Sequence, residues 1–228
     1  MKNLIIKLCS FITSRILILK NKNLQIKNCS LYLLHISTQR NNKIAITNAT
    51  LKRSRIIVNG NNNNINFQGK LWKTKILIDG NNNQLEIAQN TDFRLSRIII
   101  RGNNCTIKIG TKTSFGSVYM TCMGAYNSIT IGDECMFAEN IEIWNTDSHP
   151  IFNANGDIIN PSKPIYIGSH VWCGKNSTIL KGVKIGDNAV IGMQALVTKD
   201  INPNTLNVGI PAQTIREQIN WKQDFINI

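Results

Sequence analysis

The sequence predicts an all-β fold, a parallel β-solenoid with triangular coils, and three observations carry that expectation. In IGSHVWCGKNSTILKGVKIGDNAVIGMQALV, apolar or small residues fall at Ile167, Cys173, Ile179, Ile185, Ile191 and Val197, always six apart. An amphipathic helix repeats near 3.6 residues and a strand near 2, so six is the period of a chain that turns a corner after each short strand. Apolar pairs also recur at Ile44/Ile46, Ile65/Phe67, Leu85/Ile87, Ile107/Ile109, Ile129/Ile131, Ile165/Ile167 and Val183/Ile185, with steps of 21, 20, 22, 22, 36 and 18 residues. Finally, NGNNNN at 59–64, DGNNNQ at 79–84 and RGNNCT at 101–106 return at equivalent points of successive repeats. Gly and Asn tolerate the positive φ that a tight corner needs, and stacked Asn side chains can form a ladder. A hairpin at each NG would pair strands locally; the steady return near 20 residues favours stacked coils instead.

Taken in order, residues 1–35 read as a basic N-terminal cap. Leu4, Leu8, Phe11, Ile12, Ile16 and Leu19 share one helical face, which suits a helix packed on the end of the solenoid or lying on a membrane surface. Lys7 and Arg15 interrupt the apolar run and no small-residue cleavage site follows, so a signal peptide is not expected. No uncharged apolar run reaches the roughly 18 residues of a membrane span. The coils occupy 36–215. The step of 36 residues is one coil plus a loop, placed at 149–164 in HPIFNANGDIINPSKP. Residues 216–228 form a short C-terminal tail.

Hydrophobic residues make up 42% and aromatics 7% of the 228, so the core is expected to be built from Ile, Val and Leu. The six cysteines, Cys9, Cys29, Cys105, Cys122, Cys135 and Cys173, form no C-x-x-C pair and read as reduced, core-filling thiols of a cytoplasmic protein. Net charge is +13 and unevenly spread. Residues 1–110 hold eighteen Lys and Arg against three acids, and residues 111–228 hold eight against ten. The excess points to a polyanionic partner, whether nucleic acid, an anionic membrane face or an acidic polysaccharide, or else to a solvated face that keeps a rod soluble.

Residues 129–216 resemble the hexapeptide-repeat acyltransferases, in SITIGDECMFAENIEIWNTDSHP, PIYIGSHVWCGKNSTILKGVKIGDNAVIGMQALVTKDINPN and VGIPAQTIRE. Over 40–128 the likeness is weaker, because the coils are longer and Asn-rich. The resemblance implies a left-handed β-helix, an exception to the usual right-handed crossover. The W-x-x-D-x-H segment followed by a loop is similar to the sugar and polysaccharide O-acetyltransferases. That implies acetyl transfer from acetyl-CoA to a glycan hydroxyl without a metal, in a homotrimer that binds the coenzyme between subunits.

By this resemblance His149, at the start of the loop, matches the general base that a weakly acidic hydroxyl requires. Asp147, expected on the same strand face, would orient the imidazole or hold the loop at its corner. Trp144 and Trp172 either pack at the coil edge or line the acceptor or thioester channel. A backbone N–H near Gly174 is the expected oxyanion donor. Lys175, Met193, Thr198, Lys199 and Arg216 match positions that contact the coenzyme. The family often has Ser at position 175, Ala at 193 and Arg at 213, where this chain has Lys175, Met193 and Gln213. His170 is expected at the surface and His35 receives no role.

The leading expectation is therefore O-acetylation of a cell-surface glycan, neutral or anionic, with the basic N-terminal half holding an acidic polymer or facing phospholipid at the inner membrane surface. A small acceptor such as a free sugar, a nucleotide-sugar amine or serine keeps the same enzyme class. A non-catalytic β-helix scaffold would not need His149, Lys199 and Arg216 together. A zinc carbonic anhydrase on this fold needs three converging histidines, which His35, His149 and His170 do not supply. Nucleic-acid binding rests on charge alone, without a stacking platform or motif.

Overall fold

The computed structural model describes residues 16–17, 23–39 and 41–224. These build a three-sided parallel β-solenoid whose coils stack in register along one axis. Face one is a nine-stranded sheet running from Ile16–Leu17 through His35–Thr38, Arg55–Asn59, Lys75–Asp79, Arg97–Asn103, Val118–Ala125, Ile141–Trp144 and Thr178–Leu180 to Leu196–Val197. Face two stacks Leu24–Lys27, Lys43–Thr47, Thr106–Ile109, Ser128–Ile131, Ile165–Ile167 and Lys184–Ile185. Face three stacks Ser30–Tyr32, Thr50–Lys52, Ser114–Phe115, Met136–Phe137, Trp172–Cys173, Val190–Ile191 and Leu206–Val208. Asn64–Trp72 and Gln84–Arg94 run on through the corner between faces two and three, so these two faces join into a single sheet.

Burial alternates along each strand because successive side chains point to opposite sides. On face two the apolar pairs line the interior: Ile65 and Phe67 pair with Leu85 and Ile87, which pair with Ile107 and Ile109, and all are buried. Each such Ile, Leu or Phe contributes roughly 1.5–3 kcal/mol through removal from water. Phe93, Phe115 and Phe137 stack face to face up the interior of face three, with centroids 4.3 and 4.6 Å apart. Stacked rings at this separation are a favourable aromatic arrangement, and the coil pitch sets it here.

The corners are made by residues in the left-handed region, with Asn the commonest, including Asn62, Asn82 and Asn104 between faces one and two. Beside them runs a buried amide ladder. Asn63 N–H donates to Asn42 Oδ1, Asn83 N–H to Asn63 Oδ1 and Cys105 N–H to Asn83 Oδ1, each at 2.9 Å. The Nδ2 groups of Asn42, Asn63 and Asn83 donate to Gly60, Gly80 and Gly102 carbonyls. The Asn-rich stretches therefore satisfy corner backbone that would otherwise be buried without partners. Only glycine fits at Gly80, where a Cβ would stand 1.9 Å from the Gly102 oxygen.

The N-terminal boundary differs from expectation. Strands Leu24–Lys27 and Ser30–Tyr32 belong to the solenoid, so residues expected in a cap form a full coil. Leu24 and Ile26 lie beneath Ile44 and Ile46, one step of 20 earlier in the same repeat. Ile16–Leu17 is a strand paired with Ile36 and Ser37, not part of a helix. Leu4, Leu8, Phe11, Ile12 and Leu19 lie outside the described residues. At the other end Gln213–Arg216 folds back antiparallel on Leu206–Val208. The tail then reaches down to His170, with Trp221 stacked on its imidazole at 4.2 Å and donating Nε1–H to its carbonyl. His170 is thus a half-buried corner residue, with Nδ1 2.9 Å from Asn188 Oδ1, rather than a surface side chain.

Cys105, Cys122, Cys135 and Cys173 are buried, Cys29 is half-buried, and all five are free; Cys9 lies outside the described residues. Burial raises the Cys173 thiol pKa well above its ordinary value and pushes Cys135 up to about 11. Both act as small core side chains.

Candidate active site

After Trp144 the chain leaves face one and returns to face two only at Ile165, forming the loop placed at 149–164. A short bridge between Phe152 and Ile158 closes the loop on itself. Its root is fixed by a carboxylate. Asp147 Oδ2 takes a short ionic hydrogen bond from Lys181 Nζ and a 2.9 Å bond from Asn160 Nδ2. Lys181 also donates to the Asn160 carbonyl at 3.0 Å, and Asn160 Nδ2 to the His149 carbonyl at 2.9 Å. Lys181, then Asn160, holds the Asp147 carboxyl below its ordinary pKa.

His149 is exposed at the start of the loop. It does not share a strand with Asp147, because Ile141–Trp144 ends earlier and Ser148, with φ 67°, turns the chain between them. His149 N–H closes that turn on the Asp147 carbonyl at 2.8 Å. Of the two roles open to Asp147, the geometry carries the loop-holding one: its side-chain bonds go to Lys181 and Asn160, and it orients the histidine through the backbone. Lys181 and Asn160 were not singled out from the sequence. The signal for Lys181 lay in the 36-residue step, since Leu180 pairs with Trp144 and sets Lys181 over the loop root.

Trp144 is half-buried on face one, stacked on Tyr119 at 5.1 Å, with Nε1–H donated to Glu142 Oε2. Trp172 stands on face three beside Trp221, with centroids 5.9 Å apart. One chain therefore does not bring the two tryptophans into one channel. Gly174 N–H is spent on the Ile191 carbonyl at 2.7 Å, so that amide is not an oxyanion donor. In the same turn Asn176 and Ser177 amides bond Glu139 and Gly174 carbonyls. Among the described residues, Lys175 N–H is the turn amide left without an acceptor.

The positions matched to the coenzyme divide between the two edges of face one. Lys175 and Met193 occupy the corner entering it, at equivalent points of adjacent coils, where the Met193 side chain is exposed. Lys175 Nζ is paired with Glu139 at 2.8 Å, which holds the Glu139 carboxyl below its ordinary pKa. Thr198 and Lys199 occupy the corner leaving face one, one coil above Leu180 and Lys181 by the pairing of Ile179 with Val197. Arg216 is exposed on the last antiparallel strand. Among the described residues neither Lys199 nor Arg216 has a carboxylate partner, so both are open to phosphate. No three His, Cys, Asp or Glu side chains among the described residues are grouped to hold a metal ion.

Comparison with known proteins matches residues 164–199 to the bacterial transferase hexapeptide (six repeats) family. The galactoside O-acetyltransferase of Escherichia coli K12 is 44% identical over 93 residues, which are 40% of this chain and 44% of that protein. The chain spans less than half the length of this and the next curated relatives it matches. Among solved structures, the polysialic acid O-acetyltransferase OatWY superposes with a TM-score of 0.75 at 33% identity, covering 85% of this chain and 92% of that one. The polysialic acid-specific acetyltransferase NeuO gives 0.68 at 27% identity, covering 91% and 92%. A likeness at 33% identity that takes in 85% of this chain and 92% of the other, with the six-residue repeat matched on its own, makes this chain a member of the hexapeptide-repeat acyltransferase family.

Proposed function

We propose that the protein transfers an acetyl group from acetyl-CoA to a hydroxyl of a cell-surface glycan, with His149 as general base. The observation that carries this is the placement of His149. It is the one exposed histidine on a corner whose loop is pinned from two sides, in a chain of which 85% superposes on a polysialic acid O-acetyltransferase. Acetyl-CoA supplies the acetyl group as an activated thioester. His149 takes the proton of the acceptor hydroxyl as its oxygen attacks the acetyl carbonyl, and returns that proton to the departing thiolate. General-base help of this kind contributes about 10²–10⁴ in rate. The Lys175 N–H of a neighbouring copy, free of an acceptor in its own turn, would donate to the developing oxyanion. Lys199 and Arg216, lacking carboxylate partners, fit the phosphates of the coenzyme.

A homotrimer is part of this reading, supported by how the matched residues divide. Lys175 and Met193 sit on one edge of face one, Lys199 and His149 on the other, so a groove using both edges needs a neighbouring copy. We place the enzyme in the cytoplasm, where its free thiols stay reduced. A small sugar as acceptor is the second reading, favoured by the 44% identity to the galactoside enzyme over 93 residues. Thiol release from acetyl-CoA across a panel of glycans and free sugars tests both. Release stimulated by polysaccharides alone supports the first, and release with neither class would remove the proposal.

A further inference from the structure

The N-terminal coils carry a surface that acetyl transfer at His149 does not explain. Register places Tyr32, Lys52, Trp72 and Arg94 in one outward column on face three. On the adjoining corner, Leu33, Arg53, Lys73 and Leu95 occupy successive left-handed positions. On face one the outward column is His35, Arg55, Lys75, Arg97, Tyr119 and Glu142. With Lys70, these three adjacent columns hold eight Lys and Arg. Of these eight, only Arg94 has a carboxylate partner among the described residues, Asp92 at 3.4 Å. Like charges stacked at coil pitch repel one another, and Asp92 beside Arg94 and Glu142 at the end of the face-one column offset them only in part. Such a strip raises the local concentration of an anion by roughly 10–10³.

Rings are set among the cations. Lys73 Nζ lies 4.6 Å over Trp72, and Arg97 lies 5.4 Å over Tyr119. Lys52, Lys70, Trp72 and Arg94, with the Asp92 carboxylate among them, line a shallow depression of about 410 Å³ on face three. Tyr119 then stacks on Trp144, so the strip is continuous with the coil that bears the loop and His149. From His35 to Glu142 the face-one column climbs five coil steps, about 24 Å at roughly 4.8 Å each. That length exceeds a disaccharide and runs along the axis in a narrow line.

We propose that this ridge is the docking track of an anionic polysaccharide, which lies along the solenoid axis with its carboxylates on the cation columns and a sugar face against Trp72. The proposal rests on the glycan acceptor read above and extends it, naming an anionic polymer as the substrate class and a site distant from the chemistry. A bilayer fits less well, since Arg53 and Lys73 separate Leu33 from Leu95 on the crest and leave no contiguous apolar patch to insert.

Binding of the full-length protein to polysialic acid, measured without acetyl donor, tests the track independently of turnover. Neutral dextran of matched length, phosphatidylglycerol vesicles and a single-stranded oligonucleotide serve as the comparisons. Polysialic acid should bind in a salt-sensitive manner, and dextran should not. K52Q/K70Q/R94Q should weaken binding by roughly tenfold or more, as should R55Q/K75Q/R97Q on the other column, while K52R/K70R/R94K retains it. Transfer to a monomeric acceptor should be unchanged in all three variants. Equal binding by wild type and both Gln variants, equal binding of dextran, or tighter binding of vesicles or oligonucleotide would each overturn the track. Transfer failing while polymer binding persists would instead count against the role of His149.

Discussion

Lys181 reaches across one coil to the carboxylate of Asp147, 34 residues earlier in the chain, and with Asn160 ties down the root of the loop that begins at His149. The imidazole is therefore positioned by a contact made through stacking rather than by a side chain bonded to it. Lys181→Met should lower Tm by only about 2–4 °C, the effect of an ion pair worth about 1 kcal/mol in a chain of this size. It should lower kcat by roughly ten- to a hundredfold, because small misplacement of a catalytic group is costly. KM for acetyl-CoA should hardly move. Asp147→Asn should behave alike, and the double variant should lose no more than either single one, since both remove the same anchor. Steady-state kinetics with thermal melts check all three.

The lowered pKa of Asp147 fixes the pH range of that anchor. A carboxyl whose folded pKa lies below its unfolded value binds fewer protons when folded, so its stabilising contribution is full above the ordinary carboxylate value. The contribution is lost as pH falls through the lowered folded value. The loop at 149–164 should therefore stay protected from amide exchange at neutral and mildly acidic pH and loosen only in stronger acid. In Asp147→Asn, exchange at the loop should be fast across the whole range.

The buried Asn ladder makes its own prediction. Asn63→Ala removes the acceptor of Asn83 N–H and the donors to the Gly80 carbonyl and Asn42 Oδ1. Leaving such groups buried and unpaired costs about 1–3 kcal/mol each. Chemical denaturation should show a loss in that range or above. Asn61→Ala, at an exposed position one column outward, should cost less.

Lys199 and Arg216 lie beyond the loop, exposed and without carboxylates. If they meet the coenzyme's phosphates, Lys199→Gln and Arg216→Gln should each raise KM for acetyl-CoA by roughly tenfold, the loss of one hydrogen bond to a charged group. Neither should change kcat or KM for the acceptor, and initial-rate measurements at varied coenzyme separate the two.

How much of this was legible in the sequence follows from what a period can encode. A coil repeat places every inward side chain, so the core columns from Ile44 to Val197 and the loop after His149 could be read from spacing alone. Leu24 and Ile26 obey the same repeat, but their coil lies next to a stretch whose apolar residues also fit a helix face, and the boundary was set too late. Which side chains meet across coils was not legible. Asp147 and Lys181 are adjacent only because a 36-residue step stacks them, and Asp147 lies on a turn because Ser148 takes a left-handed conformation. Gly174 was misassigned for a related reason: its amide is part of the inter-coil ladder, which one coil's sequence does not reveal. Trp144 and Trp172 sit on different faces, a consequence of counting sides that the family likeness alone did not draw out.

The most direct measurement is thiol release from acetyl-CoA by wild type and His149→Ala, with polysialic acid and with a free sugar as acceptors. Because His149 is exposed and carries no part of the core, the variant should melt at the wild-type temperature. Transfer through this imidazole predicts a loss of about 10²–10⁴ in kcat with that stability intact. Wild-type turnover surviving in His149→Ala would contradict it.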